Sequence, residues 1–450
     1  MTGKNHSIGS KIWFVVLATL VAGVGAIAQE AAYEAPPTLS ASEILAPAML
    51  RGEHHEVGEG VTSDGYMNFF TINSDYGQFE AYGELALAIR IQEITALAEL
   101  DELSKTKVFA DAVAKGAMSQ VTSVKEFAEK PVETMKGMPG GVKRMFKRAK
   151  WNVEEGVEVA KDLSTSESGD GSEGDDESTS EKTKELAKEG AEASEKYAKK
   201  YFGVSRSERR WAEKLGIDPY TSNEVLTREI KKVAKVDAAG SFGVRLAPIP
   251  RIPGVSYVQD INKLVWSTHP RELRELNLKR LAEMGSSEEL AVRFLDNAWF
   301  SPSVQTYLVA ALGDLEGVEK RDVAIEQAAA AVSREEARFF AQAVAMLAGF
   351  HRNSSPIQRL VGGARLPAGL TADGRLVFLV PVDDIFWTEG IAEAASGSYS
   401  EAGGDLAVTS REAWFRGGVS ARCRQELEES GWLVFSEVDF SSEESAGTRG

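Results

Sequence analysis

Alternating apolar and polar positions open the folded part of the chain. Residues 66–72 (YMNFFTI) are aromatic and β-branched, and residues 78–82 alternate after the turn cluster at 73–77. This pattern is typical of a β-hairpin, and a third strand is expected near residues 58–61. Because an isolated hairpin is marginal in water, another element must cover its apolar face.

A helix that can supply this cover follows at once. Helical spacing of apolar residues begins at Glu84 and continues to about Lys130, and no proline interrupts it before Pro131. Its stripe consists of Leu85, Ile89, Leu97, Leu100 and Leu103. The sequence therefore predicts a β-hairpin packed on a long helix. Such a unit can serve as a scaffold or as a partner-binding surface, and neither role requires catalytic residues.

Helical periods separated by short breaks dominate residues 183–365. The expected helices begin near residues 205, 224, 270, 287, 301, 320 and 333. Ser301 and Ser333 stand where helix N-caps are expected, and Glu336 follows Ser333 by three residues. There is no repeat of fixed period, which argues against a regular solenoid. An irregular helical domain is the prediction for this part.

The period changes again in residues 370–440. The expected strands are 375–381, 405–408 and 432–435, with helices at 384–395 and 419–430 between them. The continuous apolar run in the first strand is typical of burial on both faces. The order β-α-β-α-β favours a small, mainly parallel three-stranded sheet. For the whole chain we predict a mainly α, α+β multidomain fold.

The first 28 residues have the pattern of a secretory signal. Lys4 and Lys11 precede an uncharged apolar run at 12–24, and Ala26-Ile27-Ala28 places small residues where signal peptidase cleaves. The alternative is a membrane anchor, but the run is shorter than the roughly 20 residues that a spanning helix needs. The sequence thus predicts export from a bacterial cell to the periplasm, with full secretion as the alternative.

Several segments outside the expected cores differ in composition. Residues 29–52 contain three prolines and scattered alanines and are predicted to be a tether. Residues 161–182 are acidic and almost without apolar side chains, so a disordered linker is expected there. Residues 441–450 are predicted to be a disordered tail. The hairpin unit then spans residues 53–160.

Charge and cysteine content narrow the function. The formal net charge is −17, and it becomes −19 once residues 1–28 with their two lysines are removed. So acidic a chain does not bind nucleic acid through a general basic surface. The single cysteine, Cys423, excludes an intramolecular disulfide, so the exported protein must be held together by burial. No cofactor is indicated.

One segment runs against the acidic character of the chain. Between residues 136 and 150 there are six basic residues and no acid, and an apolar helical face with Phe146 lies opposite the basic one. The basic face consists of Lys143, Arg144, Lys147 and Arg148. Such a helix can bind an anionic membrane surface. The favoured alternative is an ordinary amphipathic helix docked on the hairpin unit.

Three places could carry chemistry. His54 and His55 are adjacent on an extended segment and point to opposite faces, which favours a surface loop over a metal site. Asp383 and Asp384 follow the strongest strand, where parallel sheets bind ligands. They could act as metal ligands or general bases, but a helix N-cap is the favoured interpretation. Ser241 resembles a nucleophile elbow but lacks its first glycine and its leading strand.

These observations favour a non-enzymatic exported protein that scaffolds or binds a protein partner at the bacterial cell envelope. The signal, the tether and the absence of a clustered catalytic set all indicate this function. The alternative is a periplasmic enzyme, hydrolase-like or metal-dependent, with a site near Asp383 and Asp384 at the C-terminal sheet.

Overall fold

A computed structural model describes residues 32–119, 192–237, 263–362, 366–396 and 407–440. In these ranges the chain is a mixture of helices and several sheets, which confirms the coarse prediction of an α+β protein. Several predicted features lie outside the described residues. They are the signal at 1–28, Lys143, Arg144, Lys147 and Arg148 of the basic helix, Ser241, the acidic linker at 161–182 and the tail at 441–450.

The N-terminal unit is an antiparallel sheet covered by a helix. Strand β4 (Asn68–Ser74) forms the expected hairpin with β5 (Gly77–Tyr82) and also pairs with β2 (His55–Val57) and β3 (Gly60–Ser63). Helix α3 (Glu84–Ser104) contacts both strands of the hairpin. Phe70, Ile72 and Ala81 of the sheet and Leu87, Ile91 and Ile94 of the helix share one buried cluster.

The structure corrects the prediction of a tether at residues 29–52. Strand β1 (Leu39–Ser40) pairs with β3, and two single-turn helices follow, α1 (Ala41–Ile44) and α2 (Pro47–Leu50). The reason is that the alanines and leucines of this segment are spaced for burial: Ala41 and Leu45 are in the same cluster as the sheet. Proline count alone suggested a flexible segment.

The long helix is shorter than the apolar spacing predicts. It ends at Ser104, and α4 (Lys107–Ser119) begins after a gap of two residues. The Thr106 hydroxyl accepts a hydrogen bond from the Phe109 amide at 3.2 Å, so Thr106 caps the new helix. Hydroxyl side chains that compete for backbone groups explain the break.

The central helices begin close to the predicted positions. They are α5 (residues 192–201), α6 (Arg206–Leu215), α7 (Glu224–Asp237), α8 (Pro270–Glu283), α9 (Glu288–Leu295), α10 (Pro302–Gly313), α11 (Asp322–Ala329) and α12 (Arg334–Asn353). Ser301 and Ser333 are N-caps, as expected, accepting hydrogen bonds from the Val304 and Glu336 amides. Helices α10 and α12 pack on each other.

The C-terminal sheet contains the predicted parallel strands and two more. Strands β8 (Arg375–Val380), β10 (Ser410–Phe415) and β12 (Trp432–Phe435) are parallel, in the order β8-β10-β12. The middle strand begins at Ser410, not at residue 405. Strands β6 (Ile357–Val361) and β7 (Ala368–Thr371) extend the sheet antiparallel beside β8. Residues 357–361 therefore belong to this sheet, although the sequence places them in the helical domain.

Residues 384–395 also differ from the prediction of one helix. Asp384–Ile385 is a short strand, β9, paired with β11 (Gly418–Val419), and helix α13 begins only at Glu389 (Glu389–Ser396). Helix α14 (Ala421–Glu429) then leads into β12.

The central helices and this sheet share one continuous core, which includes Leu347 and Phe350 of α12 and Val377 and Leu379 of β8. Among the described residues, no helix has the length and apolarity to span a bilayer.

Candidate functional site

A pocket lies where the N-terminal unit meets the central helices. It offers a volume of about 80 Å³, and since a buried water occupies roughly 10–15 Å³ on this measure, several water-sized groups fit. Its walls come from α3, the end of α5, the loop between α6 and α7, the loop before α10, and the first turns of α10 and α12. The lining side chains include Glu93, Tyr201, Asp218, Tyr220, Trp299, Ser303, Arg334 and Arg338.

Two helix N-termini meet at this pocket. Ser301 caps α10 and Ser333 caps α12, and residues of both first turns line the pocket. Each helix N-terminus carries about half a positive charge from its unpaired amides. Arg334 and Arg338, four residues apart on α12, fall on the same helical face and add two full charges. These groups bring positive charge to the part of the pocket that the two helices line.

Arg334 and Arg338 are partly buried, and neither makes an ion pair or hydrogen bond with any residue of the described ranges. This contrasts with Arg274, whose Nη2 lies 2.6 Å from Asp296, and with Arg352, which pairs with Asp314 at 3.1 Å. Guanidinium groups have five donors and normally find carboxylate or carbonyl acceptors in a folded protein. The pocket thus has donors that no acceptor among the described residues uses.

Asp218 also lines the pocket, beside the first turn of α10. Its Oδ1 accepts hydrogen bonds from the Ser303 hydroxyl at 2.5 Å and the Tyr220 amide at 2.9 Å. Gly216, in the left-handed conformation with φ 66°, ends helix α6 and turns the chain toward this aspartate. Burial raises the pKa of Asp218, and the nearby charge of Arg338 opposes that rise.

The Tyr220 hydroxyl is a second unused polar group. Tyr220 is 4% exposed, and its hydroxyl has no hydrogen-bond partner in the described structure. Burial is also the main cause that raises the pKa of this phenol. A neutral hydroxyl in this position can donate one hydrogen bond and accept others. An unpaired buried polar group is costly, and such groups often mark sites that a ligand completes.

Glu93 belongs to the wall of the pocket but is already occupied. It is 4% exposed, pairs with Arg90 at 2.5 Å, and accepts hydrogen bonds from the Thr221 hydroxyl and from Asn223. These contacts fix the loop between α6 and α7 against α3. Glu93 is therefore a structural element of the site, and Asp218 is its less occupied carboxylate.

The rim of the pocket is cationic and aromatic. Trp299 is 39% exposed, and the Nζ atoms of Lys196 and Lys200 lie 5.6 and 5.4 Å from its ring centroid. Lys200 also donates to the Ala298 carbonyl at 2.7 Å. Partial burial, with the charges of Arg334 and Lys196 next, lowers the pKa of Lys200 to about 8. The cations of Lys196, Lys200 and Arg334 are therefore close enough to act on one another.

The predicted site residue Asp383 lies elsewhere, at the contact between the two sheets. Its buried carboxylate accepts hydrogen bonds from the amides of Asn68 and Glu84, all at 3.1 Å, and Arg416 lies 3.7 Å away. Asp383 therefore sits before the first turn of α3 and ties the C-terminal sheet to the N-terminal unit. Asp384 accepts a hydrogen bond from the Asn68 side chain at 3.1 Å. The two carboxylates do not line the pocket.

Stability should fall between about pH 4.5 and pH 7 because of Glu84. Burial, followed by the charge of Asp383, raises the pKa of Glu84 to about 7, whereas an unfolded glutamate titrates near 4.3. The folded state then holds its proton longer than the unfolded state, so stability is highest below the unfolded pKa and is lost as the pH rises through 7. Burial raises the pKa values of Asp383 and Asp384 too, with the same sign.

Urea unfolding of the wild type and of Glu84→Gln at pH 5, 6, 7 and 8 measures this effect. The decline in free energy of unfolding should be smaller in Glu84→Gln than in the wild type. Glu80→Gln, which changes an exposed glutamate on β5, serves as the control and should follow the wild-type profile. Parallel profiles for the wild type and Glu84→Gln would contradict the assignment.

The predicted metal candidates His54 and His55 face different surroundings. His54 Nδ1 lies 2.9 Å from Asp75, and His55, in β2, is buried with Nε2 3.2 Å from the Met49 carbonyl. Burial lowers the pKa of His55. Within the described ranges, no group of three or more histidine, cysteine, aspartate or glutamate side chains is placed to hold a metal ion.

Sequence reasoning did not single out the residues that line the pocket. Asp218 was notable only as part of a helix break, and Arg334 and Arg338 only as polar positions of a helix. The available signal was the spacing of two arginines by four residues directly after an N-cap serine. Comparisons with protein-family models, with curated proteins and with solved structures gave no match to this chain. The function proposed below therefore rests on the geometry of the pocket.

Proposed function

We propose that the protein is a non-enzymatic, exported bacterial protein that binds a partner molecule at the cell envelope through an anionic group held in this pocket. One observation carries the proposal: Arg334 and Arg338 both line the pocket, and no carboxylate in the described structure pairs with either. Arginine forks match carboxylate and phosphate oxygens, so the pocket has the donors of an anion site.

The surroundings strengthen this interpretation. The N-termini of α10 and α12 and the amines of Lys196 and Lys200 add positive potential to the same place. The chain as a whole has a net charge of −17, so a local positive wall is not a consequence of composition. An acidic chain repels anions at long range, so an anion binds only where positive groups are concentrated, as in this pocket.

Binding of simple anions tests the proposal. Isothermal titration calorimetry with sodium acetate and with inorganic phosphate should show binding to the wild type. Arg334→Gln and Arg338→Gln should each weaken it about tenfold or more, because a charge-assisted hydrogen bond contributes roughly 1.5–3 kcal/mol. Arg352→Gln is the matched control, since it removes a charge from the other end of the same helix.

The same titrations can refute the proposed anion site. Anion affinity that is unchanged in Arg334→Gln and Arg338→Gln, or reduced as much by Arg352→Gln, would refute the pocket as the binding site.

The alternative, an enzyme centred on Asp383 and Asp384, has less support. The Asp383 carboxylate is engaged by two backbone amides and lies apart from the pocket.

Export belongs to the same proposal. The pattern of residues 1–28 supports it, with the periplasm as the compartment. Peripheral contact with anionic lipid through Lys143, Arg144, Lys147 and Arg148 is a separate prediction. Flotation with anionic vesicles tests it, and lipid association that is unchanged after neutralising all four residues would exclude it.

A further inference from the structure

The pocket is lined by charges of both signs that do not pair with each other in the described structure. Arg338 is close enough to Asp218 to influence its pKa, yet the two side chains form no ion pair within 4 Å. Opposite charges that line one cavity without pairing leave room between them. A ligand that carries both charges can fill that room.

Asp218 keeps one acceptor free for such a ligand. Both hydrogen bonds that it receives within the described structure end on Oδ1, from Ser303 and Tyr220. Oδ2 receives none there. A carboxylate has about four lone-pair positions, and a buried one needs compensation of its charge. An ammonium group next to Oδ2 supplies this compensation.

The Tyr220 hydroxyl provides the second, independent observation. Its side chain is more than nine-tenths buried, lines the pocket and has no partner in the described residues. It stands on the same loop as Asp218, two residues away. A ligand with both a donor and an acceptor satisfies this hydroxyl, whereas a simple cation or a dry apolar group does not.

Resting on the proposed function, we infer that the pocket binds the zwitterionic head of a free α-amino acid, with its carboxylate on Arg334 and Arg338 and its ammonium on Asp218. The volume of about 80 Å³ accommodates several heavy atoms, which suits a small amino acid such as glycine or alanine. A phosphate dianion should bind more weakly than a carboxylate, because its second charge would lie close to the Asp218 carboxylate.

Calorimetric titration with three matched probes tests the inference. L-Alanine carries both charges, propionate lacks the ammonium, and L-alaninamide lacks the carboxylate. The wild type should bind L-alanine at least about tenfold more tightly than either analogue, since each analogue leaves one kind of charged group in the pocket without a partner. Asp218→Asn should abolish the preference for L-alanine over propionate. Asp314→Asn, at an exposed ion pair, should retain it.

Three outcomes separate this inference from the proposed function. A tenfold preference for L-alanine that depends on Asp218 supports both. Equal binding of propionate and L-alanine that depends on Arg334 and Arg338 overturns the inference and leaves the anion site in place. Failure of every probe, including inorganic phosphate, to bind the wild type overturns both. The wild-type comparison of the three probes decides the matter even when Asp218→Asn does not fold.

Discussion

Replacing Phe350 with alanine is expected to lower the free energy of unfolding by about 3–5 kcal/mol. Phe350 is fully buried near the end of α12. Its ring centroid lies 5.5 Å from that of Trp414 on β10 and 5.6 Å from that of Phe440. The substitution removes apolar area and leaves a cavity at the contact between helix and sheet, and close-packed cores fill such cavities only partially.

Urea unfolding followed by tryptophan fluorescence and by circular dichroism measures the loss. We expect the two signals to shift together for this part of the chain, because the core containing Phe350 includes residues of both the central helices and the C-terminal sheet. Phe350→Leu should cost less, and Val332→Ala, at a side chain that is 72% exposed, almost nothing. A loss of secondary structure confined to one of the two regions would contradict the shared core.

The elements that the sequence predicts best are those with long, uniform patterns. The hairpin at β4 and β5, the helix that starts at Glu84 and the strand at Trp432–Phe435 all have runs in which spacing, turn residues and burial agree. The same agreement places the N-caps at Ser301 and Ser333. Local propensity and tertiary burial favour the same structure at these positions, so one sequence is enough to find them.

The missed strands show where local pattern fails. Strand β7 has the sequence AGLT, with two residues of low β propensity, yet all four of its positions are buried. Its conformation is imposed by β6 and β8 on either side. A Cβ on Gly369 would press against Ile357 and Val377 of those two strands. Close packing, which no single-sequence pattern records, selects the small residues there.

The candidate pocket could not be predicted for a related reason. Asp218 and Arg334 are far apart in the sequence, and each looks like an ordinary polar residue next to a helix end. Among the described residues, the Arg334 side chain has no partner and Asp218 keeps Oδ2 unbonded, and only the folded structure reveals this. The helix caps fix where α10 and α12 begin, and therefore which residues form the walls of the pocket. The net charge of −17 does not indicate a site for anions.

Asp383 and the pocket have different roles in the structure. The aspartate at the end of the strongest strand holds together the N-terminal unit and the C-terminal sheet by accepting backbone amides. Arg334 and Arg338, near the start of α12, line the pocket instead. Carboxylates that follow a parallel strand are therefore not sufficient to locate a site, because the same position can serve as an anchor between units.

Replacing Gly417 with alanine is expected to destabilise the protein by at least about 3 kcal/mol. Gly417 lies between β10 and β11, and a Cβ added to it would overlap the carbonyl group of Asp383. The neighbouring Gly418 amide donates to that same carbonyl at 3.1 Å, so the two backbones are held in close approach. Because the overlapping atoms are backbone, a rotamer change cannot relieve the clash.

Gly390→Ala is the matched control for this experiment. It adds the same methyl group in helix α13, where nothing lies within 4 Å of the new Cβ. Alanine in place of a helical glycine should stabilise by about 0.5–1 kcal/mol. Thermal and urea unfolding of both variants should therefore give shifts of opposite sign. A Gly417→Ala protein as stable as the wild type would show that the Asp383 backbone is not held against this glycine.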